Sequence, residues 1–561
     1  MIRKYWISIF VGAFLFYIAP YRADAYTPVY AEQGMVAGPE PLAVQIGVDI
    51  LKKGGNAFDA AAAVGFALAV TYPSAGNLGG GGFMTAVKDT QEPLFLDFRE
   101  TAPLAASSDM YLDKDGNIIP GLSTSSLLAV GVPGTVHGLL TMFSDHGAMN
   151  RSDILDPAIQ LAESGFHVSY SLHASLQANQ DRLSAYPSTK RIFFSHESAP
   201  HFNSILRQPD LAWTLKKLRD EGAQAFYEGE VAEKLVNYMK NNGGIITRED
   251  LTAYRSKYRT PILFDYKDNT IVAPNLPSSG GITLAQILKL IEPHPMREIG
   301  RNSAEYIHIL TEAERLAFAD RNYFLGDRDF IRAPVDRLMS GDYLDARREQ
   351  IPKYKAGSSE RISHGRIESE ETTHFCIVDR NRNAVAITYT LNESYGMKAV
   401  VEGAGFFLNN EMDDFNAKPG YPNVYGLVEG DANAIQPEKR MLSSMTPVIV
   451  LKDGKFAFTV GTPGGPTIIT TAAQIIVNML DFGMNIRDAI DAPRFHHQGL
   501  PDFIRFEREA FSYDTLKLLV GMGYTLKESG PIGFAAGIQQ MDNHLLAGYA
   551  DGRGEGSAAG Y

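Results

Sequence analysis

One stretch of this chain constrains its fold more than any other, and it runs from Glu371 to Asp379. The residues before it, 355–370, are rich in Gly, Ser, Glu, Arg and His, whereas apolar residues alternate from Thr373 onward. A second strand is predicted over 384–390, after the turn residues 380–383, so the two strands form a hairpin. The sequence therefore predicts a flexible loop that leads into a buried strand beginning with threonine.

A junction of this kind is what an N-terminal nucleophile enzyme requires. Such a chain cleaves itself before the threonine, and the freed α-amino group accepts the proton of the hydroxyl on the same residue. An α-amino group has an ordinary pKa of about 7.7–8.0, which suits this role because a threonine hydroxyl is a weak nucleophile. A Thr-Thr pair before a strand also has a plain explanation in β-propensity. Cleavage between Glu371 and Thr372 is therefore a hypothesis that needs support from the rest of the chain.

Composition excludes several classes of function. The 65 acidic residues outnumber the 52 basic ones, and no Lys/Arg block stands out, so we do not expect nucleic acid as a partner. The one cysteine, Cys376, cannot form an internal disulfide and is predicted to be a buried structural residue. His496 and His497 are adjacent, and successive side chains of a strand point to opposite faces, so they do not form a metal-binding pair. We expect no metal and no cofactor.

The first 25 residues are predicted to be a secretory signal peptide. Arg3 and Lys4 give it a positive start, residues 5–19 are mostly apolar, and residues 23–25 fit a small-x-small cleavage site. A membrane anchor is the alternative, but the apolar run is shorter than the ~20 residues that a membrane span needs. No later stretch of the chain is long and apolar enough to form one. We therefore expect a periplasmic or secreted protein without a stable membrane span.

The rest of the chain alternates predicted helices and strands. Helices are predicted over 39–53, 57–70 and 468–479, and strands over 83–88, 94–98, 447–452, 455–460, 537–541 and 545–549. Residues 127–354 are mostly helical in pattern, and we interpret them as a scaffold around the catalytic part. The glycine-rich residues 77–82 lack the Lys-Ser/Thr of a phosphate-binding loop, so they predict a tight turn where backbone approaches the active site. Pattern alone supports an α/β fold with antiparallel strands.

Several separate motifs occur together in this chain. They are Phe98-Arg99-Glu100, Asn77 to Phe83, Thr372-Thr373-His374, Thr388 to Asn392, Asn409 to Phe415, Leu442 to Met445, and Gly461 to Gly465. With these motifs the sequence resembles the γ-glutamyltranspeptidase (glutathione hydrolase) family over nearly all of the chain after residue 25. The resemblance implies a four-layer αββα sandwich of the N-terminal nucleophile hydrolase type, with additional helices from the large subunit. It also implies a precursor that cuts itself into a large subunit, 26–371, and a small catalytic subunit, 372–561, which form one folded unit.

The resemblance implies a reaction and the residues that perform it. Thr372 would attack the γ-carbonyl of a γ-glutamyl amide such as glutathione, and the resulting ester would pass its γ-glutamyl group to water or to an amino acid or dipeptide. Thr390 matches the residue that orients this nucleophile. Gly464 and Gly465 match the oxyanion site, and they precede a predicted helix where backbone N–H groups are unpaired. A role in the turn alone is the alternative for the two glycines.

The resemblance also assigns residues to both charges of the γ-glutamyl group. Arg99, Ser443 and Ser444 match the side that binds the α-carboxylate, which a planar guanidinium can hold through two hydrogen bonds. The residues that match the ammonium side are Asn392, Glu411 and Asp414, and Tyr425 lies in a Pro/Gly loop that resembles a lid. Taken separately, each residue also fits a plain role, such as a surface ion pair, an acidic turn or an ordinary loop.

Two other functions remain open at the level of sequence. An acylase on the same scaffold would use a glutaryl amide of a β-lactam, but a glutaryl group lacks the α-ammonium that Asn392, Glu411 and Asp414 match. An uncleaved protein that only binds γ-glutamyl compounds is the alternative from a different class. Departures from the family pattern at Pro466-Thr467 and at Glu393-Ser394 leave the balance between hydrolysis and transfer undetermined.

Overall fold

The structure of this chain is a computed structural model that describes residues 27–88, 91–194, 197–359, 372–418 and 430–561. Three of the sequence-based predictions lie outside these residues. They are the signal peptide at 1–25, Glu371 on the upstream side of the predicted cleavage site, and Tyr425 in the predicted lid.

Strands and helices alternate along the described ranges. The strands are β1 (Val29–Ala31), β2 (Met35–Gly38), β3 (Gly81–Val87), β4 (Leu94–Phe98), β5 (Phe166–His167), β6 (Ile205–Leu206), β7 (Lys257–Arg259), β8 (Ile262–Tyr266), β9 (Asn269–Ala273), β10 (Thr373–Val378), β11 (Ala384–Thr390), β12 (Val448–Lys452), β13 (Lys455–Gly461), β14 (Phe495–His496), β15 (Ile504–Glu507), β16 (Leu526–Ser529), β17 (Ala536–Gln540), β18 (Leu546–Ala550) and β19 (Ser557–Gly560). The α-helices are α1 (Pro41–Lys52), α2 (Ala57–Thr71), α3 (Leu122–Ser125), α4 (Thr135–His146), α5 (Arg151–Ser164), α6 (Tyr170–Ala178), α7 (Gln180–Ser184), α8 (Pro187–Phe193), α9 (Pro209–Glu221), α10 (Ala223–Tyr227), α11 (Glu230–Asn242), α12 (Arg248–Ala253), α13 (Gly280–Ile291), α14 (Met296–Ile299), α15 (Ala304–Phe324), α16 (Val335–Leu338), α17 (Gly341–Arg348), α18 (Thr467–Leu480), α19 (Ile486–Asp491) and α20 (Tyr513–Gly521).

Two seven-stranded antiparallel sheets form the centre of the fold. The first sheet has the order β19-β2-β10-β11-β3-β4-β7, and the second has the order β1-β18-β17-β13-β12-β9-β8. The first sheet combines four strands from before Thr372 with three from after it, and the second combines three with four. The two parts of the chain on either side of Thr372 are therefore interleaved in both sheets.

The two sheets pack face to face with helices outside them. Helices α1, α2 and α4 lie on the first sheet, and α13, α18 and α19 lie on the second. A buried cluster that includes Cys376, Ala386, Ile449 and Ile538 fills the space between the sheets. This four-layer αββα arrangement confirms the predicted fold class. Cys376 is a free, buried thiol as predicted, and burial raises its pKa above the usual range.

The local sequence explains why the first two helices form. The Glu40 side chain caps α1 by accepting from the N–H groups of Leu42 and Ala43, and Asn56 with Asp59 forms a capping box on α2. Helix α2 is buried along its whole length because its alanines allow close approach to neighbouring elements. Both helices were predicted to within two residues at each end.

The interpretation of residues 127–354 as a helical scaffold is incomplete. These residues also contribute strands β8 and β9, which form one edge of the second sheet next to β12, and β7, which forms an edge of the first. The strands are short and follow long helical stretches, so their pattern is weak in the sequence. The described residues include no helix with both the length and the apolar character needed to cross a membrane.

Candidate active site

The hairpin of β10 and β11 brings two predicted catalytic threonines together. Its register pairs Thr373 with Tyr389, and extending it by one residue places Thr372 opposite Thr390. Thr372 is 5% exposed. On the same face of the hairpin, the Nδ1 atom of His374 lies 2.8 Å from the Oγ1 atom of Thr388. Burial lowers the pKa of His374 to about 3, so this histidine is neutral at physiological pH.

The glycine-rich turn supports the end of β11. Asn77 donates through Nδ2 to the carbonyl of Thr390 at 3.0 Å, and its Oδ1 accepts from the N–H of Gly80 at 2.9 Å. A Cβ atom on Gly80 would lie 1.9 Å from the carbonyl oxygen of Thr390. Only glycine permits this approach, and the predicted tight turn beside the active site is confirmed.

One cavity collects most of the predicted site residues. Nine of them line it: Arg99, Thr372, Thr390, Asn392, Glu411, Asp414, Ser443, Ser444 and Gly465. Gly464 lies next to the lining residue Gly465 without lining the cavity itself. The remaining lining residues are Arg321, Leu442, Met445, Pro466 and Ile468.

The two predicted charge sets of the cavity are in direct contact. Arg99, at the end of β4, donates through Nη1 to Glu411 and through Nη2 to Asp414. Burial lowers the pKa of Arg99, but the charges of Glu411 and Asp414 outweigh this effect and hold it above its usual value. The other oxygens of the carboxylates, Glu411 Oε2 and Asp414 Oδ1, are buried and have no hydrogen-bond partner among the described residues. Burial raises the pKa of both carboxyl groups, although Arg99 acts in the opposite direction, and each group keeps one oxygen that Arg99 does not contact.

Glu100 is a third carboxyl group beside Arg99, and sequence reasoning gave it no role. It is fully buried, and its Oε2 lies 3.7 Å from the Nη1 atom of Arg99. Burial raises the pKa of Glu100 to about 8, although Arg99 acts in the opposite direction. At neutral pH this group is therefore mostly a neutral acid. Glu100 belongs to the motif Phe98-Arg99-Glu100, but the sequence does not show that its carboxyl group is buried.

The glycine pair lies in the loop between β13 and α18. Gly464 has φ +132° and Gly465 has φ +53°, which favour glycine at both positions. The Oγ1 atom of Thr467 donates to the Gly464 carbonyl at 2.7 Å and thereby fixes the loop. Within the ranges that the structure describes, the N–H groups of Gly464 and Gly465 donate to no acceptor. Two fixed N–H donors at a helix N-terminus can bind an oxyanion.

The serine pair is held by residues from the first part of the chain. The carbonyl of Ser443 accepts from the N–H and the Oγ of Ser279, at 2.8 and 2.7 Å. The Oγ of Ser444 accepts from the Nη2 atom of Arg321 at 3.3 Å. Arg321 lies in the last turn of α15 and is 1% exposed.

Sequence reasoning missed Arg321, although a signal was present. Ile309, Ala313 and Ala317 precede it at intervals of four residues, so Arg321 continues a buried apolar row of the helix. An arginine in such a row indicates a buried partner or site.

Comparison with known proteins decides the family. The model of the γ-glutamyltranspeptidase family matches residues 43–561. This chain belongs to the γ-glutamyltranspeptidase family. It is 46% identical over 529 residues to the glutathione hydrolase proenzyme of Pseudomonas sp. strain A14, and the match covers 94% of this chain and 90% of that protein.

Solved structures agree with the family and the fold. The γ-glutamyltranspeptidase of Helicobacter pylori is 43% identical with a TM-score of 0.57, and the match covers 58% of this chain and 93% of that one. The cephalosporin acylase of Bacillus halodurans is 25% identical with a TM-score of 0.85, over 95% of this chain and 97% of that one. The predicted family, fold class and enzyme class, an autoprocessed γ-glutamyl hydrolase and transpeptidase, are confirmed. The roles of individual site residues stay predictions.

Proposed function

We propose that this member of the γ-glutamyltranspeptidase family cleaves glutathione and related γ-glutamyl amides with Thr372 as its nucleophile. One observation carries the proposal. Thr372 shares a cavity with Arg99, Glu411 and Asp414, so a threonine hydroxyl lies close to a guanidinium and to two carboxyl groups. A γ-glutamyl group has a reactive carbonyl at one end and a carboxylate with an ammonium at the other. The cavity offers a complementary group for each of these features.

The proposed reaction proceeds through an ester. The Oγ1 atom of Thr372 attacks the γ-carbonyl, and its proton passes to the α-amino group that cleavage of the precursor has freed. Negative charge develops on the carbonyl oxygen, and the N–H groups of Gly464 and Gly465 stabilise it. The tetrahedral intermediate then releases the amine, which takes the proton from the α-ammonium of Thr372. Water or the amine of an amino acid or dipeptide attacks the ester and regenerates the hydroxyl.

Recognition of the γ-glutamyl head uses both charge sets. Arg99, Ser443 and Ser444 bind the α-carboxylate in this proposal. The ammonium donates to the spare oxygens of Glu411 and Asp414, which are buried and have no hydrogen-bond partner among the described residues. Asn392 lines the same side of the cavity. A buried acceptor without a partner is costly, and a bound ammonium removes that cost.

The proposal includes a precursor with a signal peptide at 1–25 and cleavage between Glu371 and Thr372. The pieces 26–371 and 372–561 stay together as a heterodimer because both sheets contain strands from each piece. The extent of the Helicobacter pylori match supports two pieces, since that solved chain is covered over 93% of its length but accounts for only 58% of this one. We propose export to the periplasm or the medium.

Intact mass measured under denaturing conditions tests this proposal. We expect two fragments that meet at Glu371/Thr372 in the natural protein and one uncut chain for Thr372→Ala. Thr373→Val is the matched control because Thr373 is the neighbouring residue and is also buried, and this variant should still be cut. A natural protein that stays uncut would overturn the mechanism and favour a protein that only binds γ-glutamyl compounds.

A second experiment distinguishes a γ-glutamyl enzyme from an acylase. The acylase is the alternative because the chain is structurally similar to a cephalosporin acylase. The two donors are γ-glutamyl-p-nitroanilide and glutaryl-p-nitroanilide, which differ in the α-ammonium. Without this ammonium, Glu411 and Asp414 keep unpaired buried oxygens, so we expect kcat/KM to favour the γ-glutamyl donor by at least about 10²-fold. Faster turnover of the glutaryl donor would show that the assignment of Glu411 and Asp414 is wrong.

A further inference from the structure

We propose that Arg321 is a positioning residue for donor binding, which fixes Ser444 and adds a second positive charge where the α-carboxylate of the donor binds. This inference rests on the proposed function, since it requires that the cavity bind a γ-glutamyl group. It assigns a specificity role to a residue of helix α15 that lies outside the recognised sequence motifs.

Arg321 donates through Nη1 to the Oδ1 of Asn322 at 2.9 Å, and its other nitrogens contact the serine pair and its support. Its Nε donates to the Oγ of Ser279 at 2.9 Å, and its Nη2 donates to the Oγ of Ser444 at 3.3 Å. Ser279 in turn donates through its Oγ to the carbonyl of Ser443 at 2.7 Å. The guanidinium therefore reaches Ser444 directly and Ser443 through one hydroxyl. Arg321 also lines the cavity, so its charge faces the space that a donor would occupy.

A second set of contacts holds the same loop from the backbone side. The Oγ of Ser278 donates to the carbonyl of Met445 at 2.7 Å, and the N–H of Ser443 donates to the carbonyl of Pro277 at 3.0 Å. Residues 277–279 and 443–445 therefore lie side by side, with a parallel bridge between Ser278 and Ser443. With the backbone fixed in this way, the remaining freedom is the rotation of the serine hydroxyls. Arg321 restricts that rotation at Ser444 by donating to its Oγ, so the hydroxyl proton points away from the guanidinium.

The charges in the cavity explain why a second cation matters. Both terminal nitrogens of Arg99 already donate to Glu411 and Asp414. A donor carboxylate that approaches Arg99 therefore meets a guanidinium whose two terminal nitrogens already have acceptors. Burial raises the pKa of Asp414, and Arg321 acts with Arg99 in the opposite direction, which places the Arg321 charge within range of this group. Arg321 is therefore a second guanidinium, besides Arg99, on the lining of the cavity.

Arg315 provides a matched comparison on the same helix. It is buried to the same degree as Arg321, but it donates to Glu312, Ser359 and Asp502, none of which lines the cavity. A buried arginine of α15 with a purely structural role is therefore available as a control.

The test measures steady-state kinetics of the mature enzyme for Arg321→Gln, Arg321→Lys, Ser279→Ala and the control Arg315→Lys. Two donors are used: γ-glutamyl-p-nitroanilide and 4-aminobutyryl-p-nitroanilide, which lacks the α-carboxylate. For Arg321→Gln we expect KM for the γ-glutamyl donor to rise about 10-fold or more, because a charged hydrogen-bond donor is lost, with kcat nearly unchanged. The kcat/KM for the 4-aminobutyryl donor should change less than about twofold, since no carboxylate is present. Arg321→Lys should restore part of the affinity, and Arg315→Lys should alter both donors equally or not at all.

A double-mutant cycle tests whether Arg321 acts through Ser444. The fold decrease in kcat/KM for the γ-glutamyl donor in Arg321→Gln/Ser444→Ala should be smaller than the product of the two single decreases, because both variants break the same contact. Ser279→Ala should also raise KM for the γ-glutamyl donor, because Ser279 links Arg321 to the carbonyl of Ser443. This variant removes no charge, so it tests the inference even if Arg321→Gln is not cleaved to the mature enzyme. The inference would be overturned if Arg321→Gln lowered kcat/KM equally for both donors. It would also be overturned if the double variant lost kcat/KM by the full product of the two single losses. Absence of γ-glutamyl turnover in the natural enzyme would instead refute the proposed function, so the two failures are distinguishable.

Discussion

The Oγ1 atom of Thr390 accepts a hydrogen bond from the backbone N–H of Asn392 at 2.8 Å, where the chain leaves strand β11. Asn392 has φ +79°, a left-handed conformation that asparagine tolerates better than most residues. One lone pair of the Thr390 hydroxyl is thereby used within its own turn. Thr372 lies opposite in the hairpin. The turn at Asn392 and the register of the hairpin therefore place the Thr390 hydroxyl beside the residue that we propose as the nucleophile.

This relationship predicts a difference between two substitutions of Thr390. Thr390→Val keeps the shape but removes the hydroxyl, so we expect kcat to fall roughly 10²-fold, the low end of the range for positioned proton-transfer groups. Thr390→Ser keeps the hydroxyl and should retain most of the rate. The measurement is kcat with γ-glutamyl-p-nitroanilide, normalised to the fraction of chain that has been cut. A valine variant with the natural kcat would show that Thr390 does not orient the nucleophile.

The glycine loop predicts a second loss of activity. A Cβ atom on Gly464 would lie 2.3 Å from the Oγ1 of Thr467, and φ +132° is unfavourable for alanine. Gly464→Ala must therefore move the loop, and we expect kcat to fall about 10²–10³-fold because an oxyanion donor is displaced. Gly530→Ala is the control, since a Cβ atom there meets nothing within 4 Å. Equal kcat values for the two variants would exclude an oxyanion role for this loop.

The sequence predicted the elements with strong local signals. Strand β4, helices α1 and α2, and the hairpin of β10 and β11 lie where alternation, helical periodicity and turn residues place them. Strands β8 and β9 were missed: they form a short hairpin with each other, and only β9 pairs with β12, which is far away in the sequence and joins the hairpin to the sheet. Local pattern carries little information about pairing of this kind.

The candidate site likewise has features that local sequence predicts and features that it does not. Motifs predicted nine of the fourteen residues that line the cavity, because each motif is local in sequence. The direct contact of Arg99 with Glu411 and Asp414 was not predicted, since it depends on how β4 meets a loop more than 300 residues away. Arg321 and the raised pKa of Glu100 depend on burial, which a pattern within one helix or strand does not determine.

The charge cluster predicts a large effect of removing Arg99. Arg99→Leu would leave Glu411, Asp414 and Glu100 buried without their cation, and we expect the free energy of unfolding to fall by about 3–5 kcal/mol. Arg99→Lys keeps the charge and should lose less stability, but it should still raise KM because the planar pair of donors is lost. The Arg99 variants are made in a chain that also carries Thr372→Ala and is not cleaved. Urea unfolding of these chains then measures the free energy of unfolding without interference from cleavage. An unchanged unfolding midpoint in Arg99→Leu would show that the carboxyl groups are neutral without Arg99.

Glu100 predicts a pH dependence of stability with a definite sign. Burial raises its pKa to about 8 in the folded chain, against an ordinary value of 4.5, so the folded state binds a proton that the unfolded state has released over this interval. The contribution of Glu100 to the free energy of unfolding is therefore complete below pH 4.5 and declines as the pH rises toward 8, by at most about 1.4 kcal/mol per pH unit. His374 and His496 act in the opposite sense, because burial lowers the pKa of each to about 3 and their contribution is lost as the pH falls below 6.5. The comparison is consequently made at each pH between the uncut Thr372→Ala chain and the same chain with Glu100→Gln, which removes the titrating group and leaves both histidines. The difference in unfolding free energy between these chains should decrease steadily from pH 5 to pH 8, and a constant difference would show that Glu100 is ionised in the folded protein.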